Sequence, residues 1–310
     1  MSDFAAGKII RGVGGFYYVA CADGQIYECR ARGGFREAGI RLLVGDDVRI
    51  QRTFDSEKAY TGSVIELRPR RNALVRPCVA NVDQAVILFA IVRPDPNYNL
   101  LDRFLIMMRQ QEVPVLICFN KQDIAGEAER AELAGAYERC GYEVLFVSVH
   151  EQTGIRELCD RLRGRTSVMA GPSGAGKSSL INLLHPLAGA ETGELSRKLA
   201  RGRNTTRHSE LFRIDALSAP EEDGPQTYLC DTPGFTALEV RDVECSELPQ
   251  YYEEFTPYEP GCRFAGCSHI AEPDCGVKTA VEAGDIARIR YRNYVTIYQD
   301  LKNRRPVYGR

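Results

Sequence analysis

One octapeptide limits the folds open to this chain more than any other feature. Gly171-Pro172-Ser173-Gly174-Ala175-Gly176-Lys177-Ser178 follows the apolar run Ser167–Ala170 and precedes the apolar helical run Ser179–Leu184. The pattern G-x-x-x-x-G-K-[ST] between a strand and a helix is a phosphate loop. Its glycines let successive N–H groups bend inward around phosphate oxygens, and the helix start behind them favours an anion. Lys177 is placed to reach the β- and γ-phosphates and the Ser178 hydroxyl to ligate Mg²⁺, with Ser179 in the same binding set. A parallel sheet must stand behind such a loop.

The phosphate loop implies a nucleotide, and a second motif implies which base. Asn120-Lys121-Gln122-Asp123 follows the apolar run Val113–Phe119. It therefore stands at a strand's carboxyl end, where open α/β sheets hold ligands. In an N-K-x-D loop the aspartate accepts from the ring N–H and exocyclic amino group of guanine, a pair of donors that adenine does not offer. Ser148-Val149-His150 comes after the next strand, Glu143–Val147, and is expected to bring a backbone N–H to the guanine carbonyl. Asp231-Thr232-Pro233-Gly234 follows Tyr228–Cys230. There Asp231 is placed to hold Mg²⁺ through water and the Gly234 N–H to sense the γ-phosphate. The polar stretch 189–207 reads as the first switch, and Thr206, of the pair Thr205-Thr206, is the expected Mg²⁺ ligand when GTP is bound. Losing that contact on hydrolysis would release the loop.

These motifs run in an unusual order. In most GTP-binding folds the phosphate loop comes first, yet here Asn120 precedes Gly171 by 51 positions. Order in a sheet need not follow order in the chain. The helical pattern Ile155–Arg163 and the turn Gly164-Arg165 can join the end of the ordinary fold to its beginning. The expected fold class is α/β, a circularly permuted P-loop GTPase domain over residues 71–235. Its strands Gln84–Ala90, Val113–Phe119, Glu143–Val147 and Ser167–Ala170 are separated by the helices Leu100–Gln111, Glu127–Cys140 and Ile155–Arg163. Tyr228–Asp231 adds a strand with Glu210–Ile214 beside it.

The flanks differ in kind. Residues 1–70 alternate short β-rich runs (Phe16–Cys21, Gln25–Arg30, Val48–Arg52, Thr61–Leu67) with turns at Gly12, Gly14-Gly15, Asp23-Gly24, Gly33-Gly34 and Gly45-Asp46. Five short strands suit a small barrel of OB type, and period alone does not separate that from an SH3-like barrel. Beyond Asp231 the alternation stops. Residues 236–310 form a Cys-rich irregular segment that ends in a helical pattern at Ala287–Asn303.

Cys262, Cys267, His269 and Cys275 offer three thiolates and an imidazole within 14 residues. That donor set suits a closed, structural Cys₃His zinc site. The segment shows little apolar periodicity, so the metal is expected to supply the fold that a core cannot. Charge gathers at both ends. Residues 1–76 carry 13 Lys/Arg against 9 Asp/Glu, and from Arg288 onward seven basic residues face only Asp300. On charge alone such ends read either as solvated faces, the simpler reading, or as a place for a polyanionic partner, with Tyr291, Tyr294 and Tyr298 beside the C-terminal cations. No apolar stretch approaches the roughly 20 residues of a membrane span. The start of the chain has no signal-peptide pattern, so a cytoplasmic protein without a membrane partner is expected.

With these residues in hand the chain resembles the RsgA-type GTPases, bacterial circularly permuted GTPases that depend on the small ribosomal subunit. The likeness runs from Val44-Gly45-Asp46 through Arg71-Asn72 and Asn81-Val82-Asp83-Gln84 to the nucleotide motifs and the cysteine cluster. It implies an N-terminal OB domain, a central GTPase and a C-terminal zinc-binding, partly helical domain. It also implies an enzyme that acts late in maturation of the 30S subunit and hydrolyses GTP when that subunit stimulates it; a monomer that binds the subunit's rRNA is expected. In this family a histidine precedes the two switch threonines; here that position is Asn204. Asparagine can orient a water but cannot take its proton. Phe235 stands where many GTPases place a water-positioning glutamine. Lys177, Thr206 and Asn204 are thus the expected catalytic set. The alternative is a GTP-gated rRNA-binding placeholder with little turnover.

Overall fold

The computed structural model describes residues 3–53, 60–75, 77–185, 209–218, 224–231, 240 and 242–304. The first-switch stretch, with Asn204, Thr205 and Thr206, lies outside the described residues, as do Thr232, Pro233, Gly234 and Phe235.

Five strands open the chain: β1 (Phe4–Val13), β2 (Phe16–Cys21), β3 (Ile26–Ala31), β4 (Asp47–Thr53) and β5 (Thr61–Leu67). They close into a barrel of order β1-β2-β3-β5-β4, in which β1 returns to pair with β4. The β3–β5 pairing is parallel and the others are antiparallel. That order makes the barrel OB-type and removes the SH3-like alternative. Alternation drives closure: Val48 and Ile50 point into a core with Ile9, Val19, Tyr27, Cys29 and Val64, while Arg49 between them faces out. Two details differ from the sequence expectation. The longest strand, β1, gave no clear signal because Ala5, Ala6 and Gly7 carry little β-propensity. The Gly33-Gly34 turn is the start of a short helix, α1 (Gly33–Glu37).

A second sheet has six strands in the order β10-β11-β9-β6-β7-β8. These are β6 (Gln84–Ala90), β7 (Val115–Asn120), β8 (Glu143–Val147), β9 (Thr166–Ala170), β10 (Glu210–Arg213) and β11 (Tyr228–Asp231). β6 and β9 are buried at every position, as central strands covered on both faces must be. The helices are α2 (Tyr98–Gln110), α3 (Glu127–Glu138), α4 (Ile155–Leu162) and α5 (Lys177–Leu184). By compactness the chain divides into two units. One comprises Met1–Val86, Ile155–Ala170 and Lys177–Gly234; the other comprises Ile87–Gly154, Gly171–Gly176 and Phe235–Arg310.

In the first unit the linker out of the barrel is tightly held. Arg70 Nε reaches Asp46 Oδ1 at 2.6 Å, with Asp46 fully buried. Asn81 Nδ2 donates to Gly45 O at 3.0 Å, and Asp83 Oδ2 accepts from Thr166 N at 2.8 Å.

The C-terminal part of the second unit corrects an expectation. It has a core of its own: Leu248, Tyr252, Phe255, Val277, Tyr294 and Ile297 are fully buried. Fully burying a large apolar side chain stabilises by about 1.5–3 kcal/mol, so this cluster is a substantial share of the segment's stability. The apolar residues sit in short 3₁₀ turns at Leu248–Tyr251 and Glu253–Phe255, which give no helical period to detect. Two helices follow, α6 (Gly276–Ala283) and α7 (Arg288–Lys302). Of the supposed polyanion-gripping tail, Tyr294 is buried and Arg290 is 1% exposed. α7 packs on α2, where Asn293 Nδ2 donates to Tyr98 O at 3.0 Å and Arg103 pairs with Asp300.

Candidate nucleotide site and metal centre

The phosphate loop leaves β9 through a backbone that only glycine fits. Gly171 has φ +146°, and a Cβ there would stand 2.0 Å from Leu88 O. Gly176, at φ +100°, would bring a Cβ to 2.3 Å from Asn120 Nδ2. That closeness is used. Asn120, 3% exposed, donates from Nδ2 to Ala175 O at 2.9 Å, so the base loop is tied to the phosphate loop. Its Oδ1 accepts from Lys121 N at 2.8 Å and Val149 N at 3.1 Å. One buried amide therefore fixes three loops. Pro172 is half-buried, and Ser173 and Gly174 are exposed. Lys177, Ser178 and Ser179 follow as the first turn of α5, with Ser178 and Ser179 exposed.

The base loop is shaped for a ligand at Asp123. Lys121 takes a left-handed backbone (φ +68°) and its ammonium bonds Arg93 O. Gln122 is pinned through Nε2 to Phe146 O at 3.1 Å and Thr153 Oγ1 at 3.0 Å. Asp123 itself is exposed. A hydrogen bond from the Ser148 hydroxyl holds its carboxyl below the usual range, so it is an ionised acceptor. The Ser148 backbone N–H donates to Thr153 O at 2.9 Å. Asp231 ends β11, in register with Glu210.

The four metal-ligand candidates come together. Their donor atoms all lie within 4.8 Å of one another. Cys262 Sγ and Cys275 Sγ are 3.8 Å apart, and His269 Nδ1 lies 3.6 Å from Cys262 Sγ and 3.4 Å from Cys275 Sγ. A tetrahedral zinc with ordinary bond lengths sets these edges at about 3.8 Å for S···S and about 3.6 Å for S···N. The residues fit one structural zinc. Burial holds the His269 imidazole neutral, the form that ligates, and its Nε2 lies 3.5 Å from Glu259 Oε1, a carboxylate that can orient the ring. The ring also packs on the core, 5.6 Å from Phe255.

Glu272 was not singled out from the sequence. Its carboxylate accepts from Ser268 N, Ser268 Oγ, Ile270 N and Ala271 N at 2.6–3.1 Å, tying off the loop that carries Cys267 and His269. Burial opposes its charge, yet these donors hold it at about 2. Nothing in an exposed-looking Glu between Ala271 and Pro273 signals this.

Residues 67–241 match the model of the RsgA GTPase family and residues 6–60 that of the RsgA N-terminal domain. This chain belongs to the RsgA GTPase family. Among curated relatives, the small ribosomal subunit biogenesis GTPase RsgA of Agathobacter rectalis is 49% identical over 308 residues, covering 96% of this chain and 98% of the relative. The protein of the same name in Geobacillus kaustophilus is 44% identical over 307 residues, covering 98% and 100%. Two solved structures share the fold. One is the crystal structure of YjeQ from Thermotoga maritima (TM-score 0.77, 33% identity, 97% of this chain and 100% of that one). The other is YloQ, described as a circularly permuted GTPase (TM-score 0.72, 34% identity, 98% and 97%). The expected fold class and the GTP hydrolase class are therefore borne out. So is the nucleotide requirement, GTP with Mg²⁺, that belongs to the family. No helix among the described residues is long and apolar enough to cross a membrane.

Proposed function

We propose that this GTPase acts in late maturation of the small (30S) ribosomal subunit, as a cytoplasmic monomer, and that the subunit stimulates its hydrolysis of GTP. The observation that carries the nucleotide reading is the single buried Asn120 amide, which locks phosphate and base loops together with an ionised Asp123 beside them. Asp123 accepts from the guanine ring N–H and amino group, and Ser148 holds it in place. The loop Gly171–Gly176 wraps the phosphates, with Lys177 countering their charge. Ser178, Asp231 and Thr206 hold Mg²⁺, and Asn204 orients water without taking its proton. Mg²⁺ when bound neutralises charge that develops on the phosphate oxygens. The domain roles follow: residues 1–70 meet rRNA, 71–235 turn over GTP, and 236–310 form a zinc-stiffened module continuous with the second switch.

Intrinsic GTPase rates without a stimulating partner are on the order of 10⁻⁴ s⁻¹, and a partner can add ~10⁵-fold. That gain is roughly 7 kcal/mol of barrier, more than one hydrogen bond gives, so positioning and electrostatics both contribute. The test is single-turnover GTP hydrolysis with and without small subunits, at low salt and saturating GTP. Strong stimulation is expected; equal rates would show that the subunit is not the activator and favour a placeholder with little turnover. Asp123→Asn tests the base. The variant should lose GTP and gain xanthosine triphosphate, a reversal on the order of 10⁴-fold, whereas equal ATP and GTP binding by the parent would overturn the assignment.

A further inference from the structure

Strand β1 contains one irregularity. Its ladder with β2 slips between Ile9 and Arg11, leaving Ile10 as an extra residue. Side chains two apart on a regular strand share a face, so without the slip Arg11 would follow Ile9, which is fully buried in the barrel. The bulge turns Arg11 outward. Bulges re-aim side chains in this way and are over-represented beside functional sites.

Outside, Arg11 meets two partners. Its guanidinium carbon lies 3.9 Å from the ring centroid of Tyr18, the residue it opposes on β2. Tyr18 is itself fixed, its hydroxyl donating to Glu28 Oε2 at 3.2 Å. The same guanidinium reaches Glu210 Oε1 at 3.7 Å, with the two side chains 27% and 30% exposed. Stacking orders the cation before it pairs, which lessens the entropy cost that makes most such pairs weak.

Glu210 is the first residue of β10 and sits in register with Asp231, the last of β11. β10 begins four residues after Thr206, and β11 ends where Thr232-Pro233-Gly234 begins. Both segments read as switches thus join the sheet at one rung.

We propose that Arg11 is a positioning residue for GTP hydrolysis: through Glu210 it holds the rung that both switch segments meet, and it ties that rung to the outer face of the barrel. This rests on the reading of residues 189–207 and 231–234 as switches.

A double-mutant cycle in the full chain tests it: Arg11→Ala, Glu210→Gln, both together, and the exchange of Arg11→Glu with Glu210→Arg. Two quantities are read without subunits: the Mg²⁺ concentration for half-maximal binding of a non-hydrolysable GTP analogue, and GDP affinity in EDTA. Each single variant should raise the Mg²⁺ requirement by about 2–5-fold, the double no further than either, and the exchange should recover most of the loss. GDP affinity in EDTA should stay within error, because the base and phosphate loops are held by Asn120. Unchanged Mg²⁺ requirement, additive effects, or a parallel loss of GDP affinity would each overturn the proposal, the last by showing that the pair only supports the fold. A parent chain that binds Mg²⁺ and GTP but ignores subunits would instead strike the proposed partner and leave the cycle readable.

Discussion

Arg30 in the barrel and Arg290 in α7 place the same side chain over aromatic rings to opposite ends. Arg30 is exposed and lies 4.5 Å from the ring centroid of Phe16, which it opposes across β2 and β3. Arg11 over Tyr18 and Arg49 over Phe4 repeat the arrangement on the barrel's outside. Arg290 lies 4.5 Å from the Tyr252 ring, but it is shut from water, ion-paired with Asp102 at 2.6 Å and hydrogen-bonded to Glu254 at 2.8 Å. What separates them is the carboxylates within reach. A buried guanidinium persists only with counter-charges, and α2 and a 3₁₀ turn supply two. Arg30 keeps its water and stays able to meet a phosphate. A basic end is therefore a binding surface only where no buried acid has claimed its charge.

The sharpest break of this contrast lies at the metal. If the C-terminal end is internal architecture, removing its zinc should unfold it and leave the barrel alone. Apparent zinc-binding energies in small domains are on the order of 10–16 kcal/mol, so Cys267→Ser should behave as local unfolding. Elemental analysis should give about one zinc per chain, and limited proteolysis of the variant should cut within residues 240–304 while guanine-nucleotide binding persists. A metal-free protein resisting protease throughout that segment would show that the aromatic core suffices without it.

A smaller effect tests Arg290 directly. Arg290→Met should cost about 3–5 kcal/mol, because Asp102 and Glu254 would be left as buried, unpaired charges. Burial already pushes the Asp102 carboxyl up to about 6 against the pull of Arg290. Adding Asp102→Leu and Glu254→Leu to Arg290→Met should recover most of that loss in urea unfolding. A single variant as stable as the parent would return Arg290 to the surface class that its sequence context suggests.

How much of this was legible depends on where the signal is stored. The loops read as nucleotide-binding stand out in the sequence because their chemistry is local: glycines that admit positive φ and an Asn and Asp at fixed spacing need no distant partner, and the structure joins the two loops through Asn120. The zinc ligands were readable for the same reason. Arg290 was not, since its fate is set by Asp102 and Glu254, far off in the chain. Nor was the C-terminal core, whose Tyr252 and Phe255 sit in 3₁₀ turns without period. The bulge at Ile10 was hidden because an extra residue leaves alternation merely broken, which a sequence cannot tell from a weak strand.

The smallest effect decides whether the barrel face does bind. The proposed RNA contact predicts that Arg30 and Phe16 contribute separably. Each cation that meets a phosphate steepens the salt dependence of binding by about 0.7–0.9 in log–log slope. Arg30→Gln should therefore flatten the slope by roughly that amount, and matter least at high salt. Phe16→Ala removes a stacking platform instead, worth about 1–3 kcal/mol per stacked base. It should weaken subunit binding at every salt concentration and leave the slope unchanged. Arg292→Gln, an exposed position on α7, serves as the matched change at the other end. If it flattens the slope as much as Arg30→Gln does, the C-terminal helix also offers cations to RNA despite Arg290. If only Arg30→Gln does so, the phosphate-binding charge belongs to the barrel.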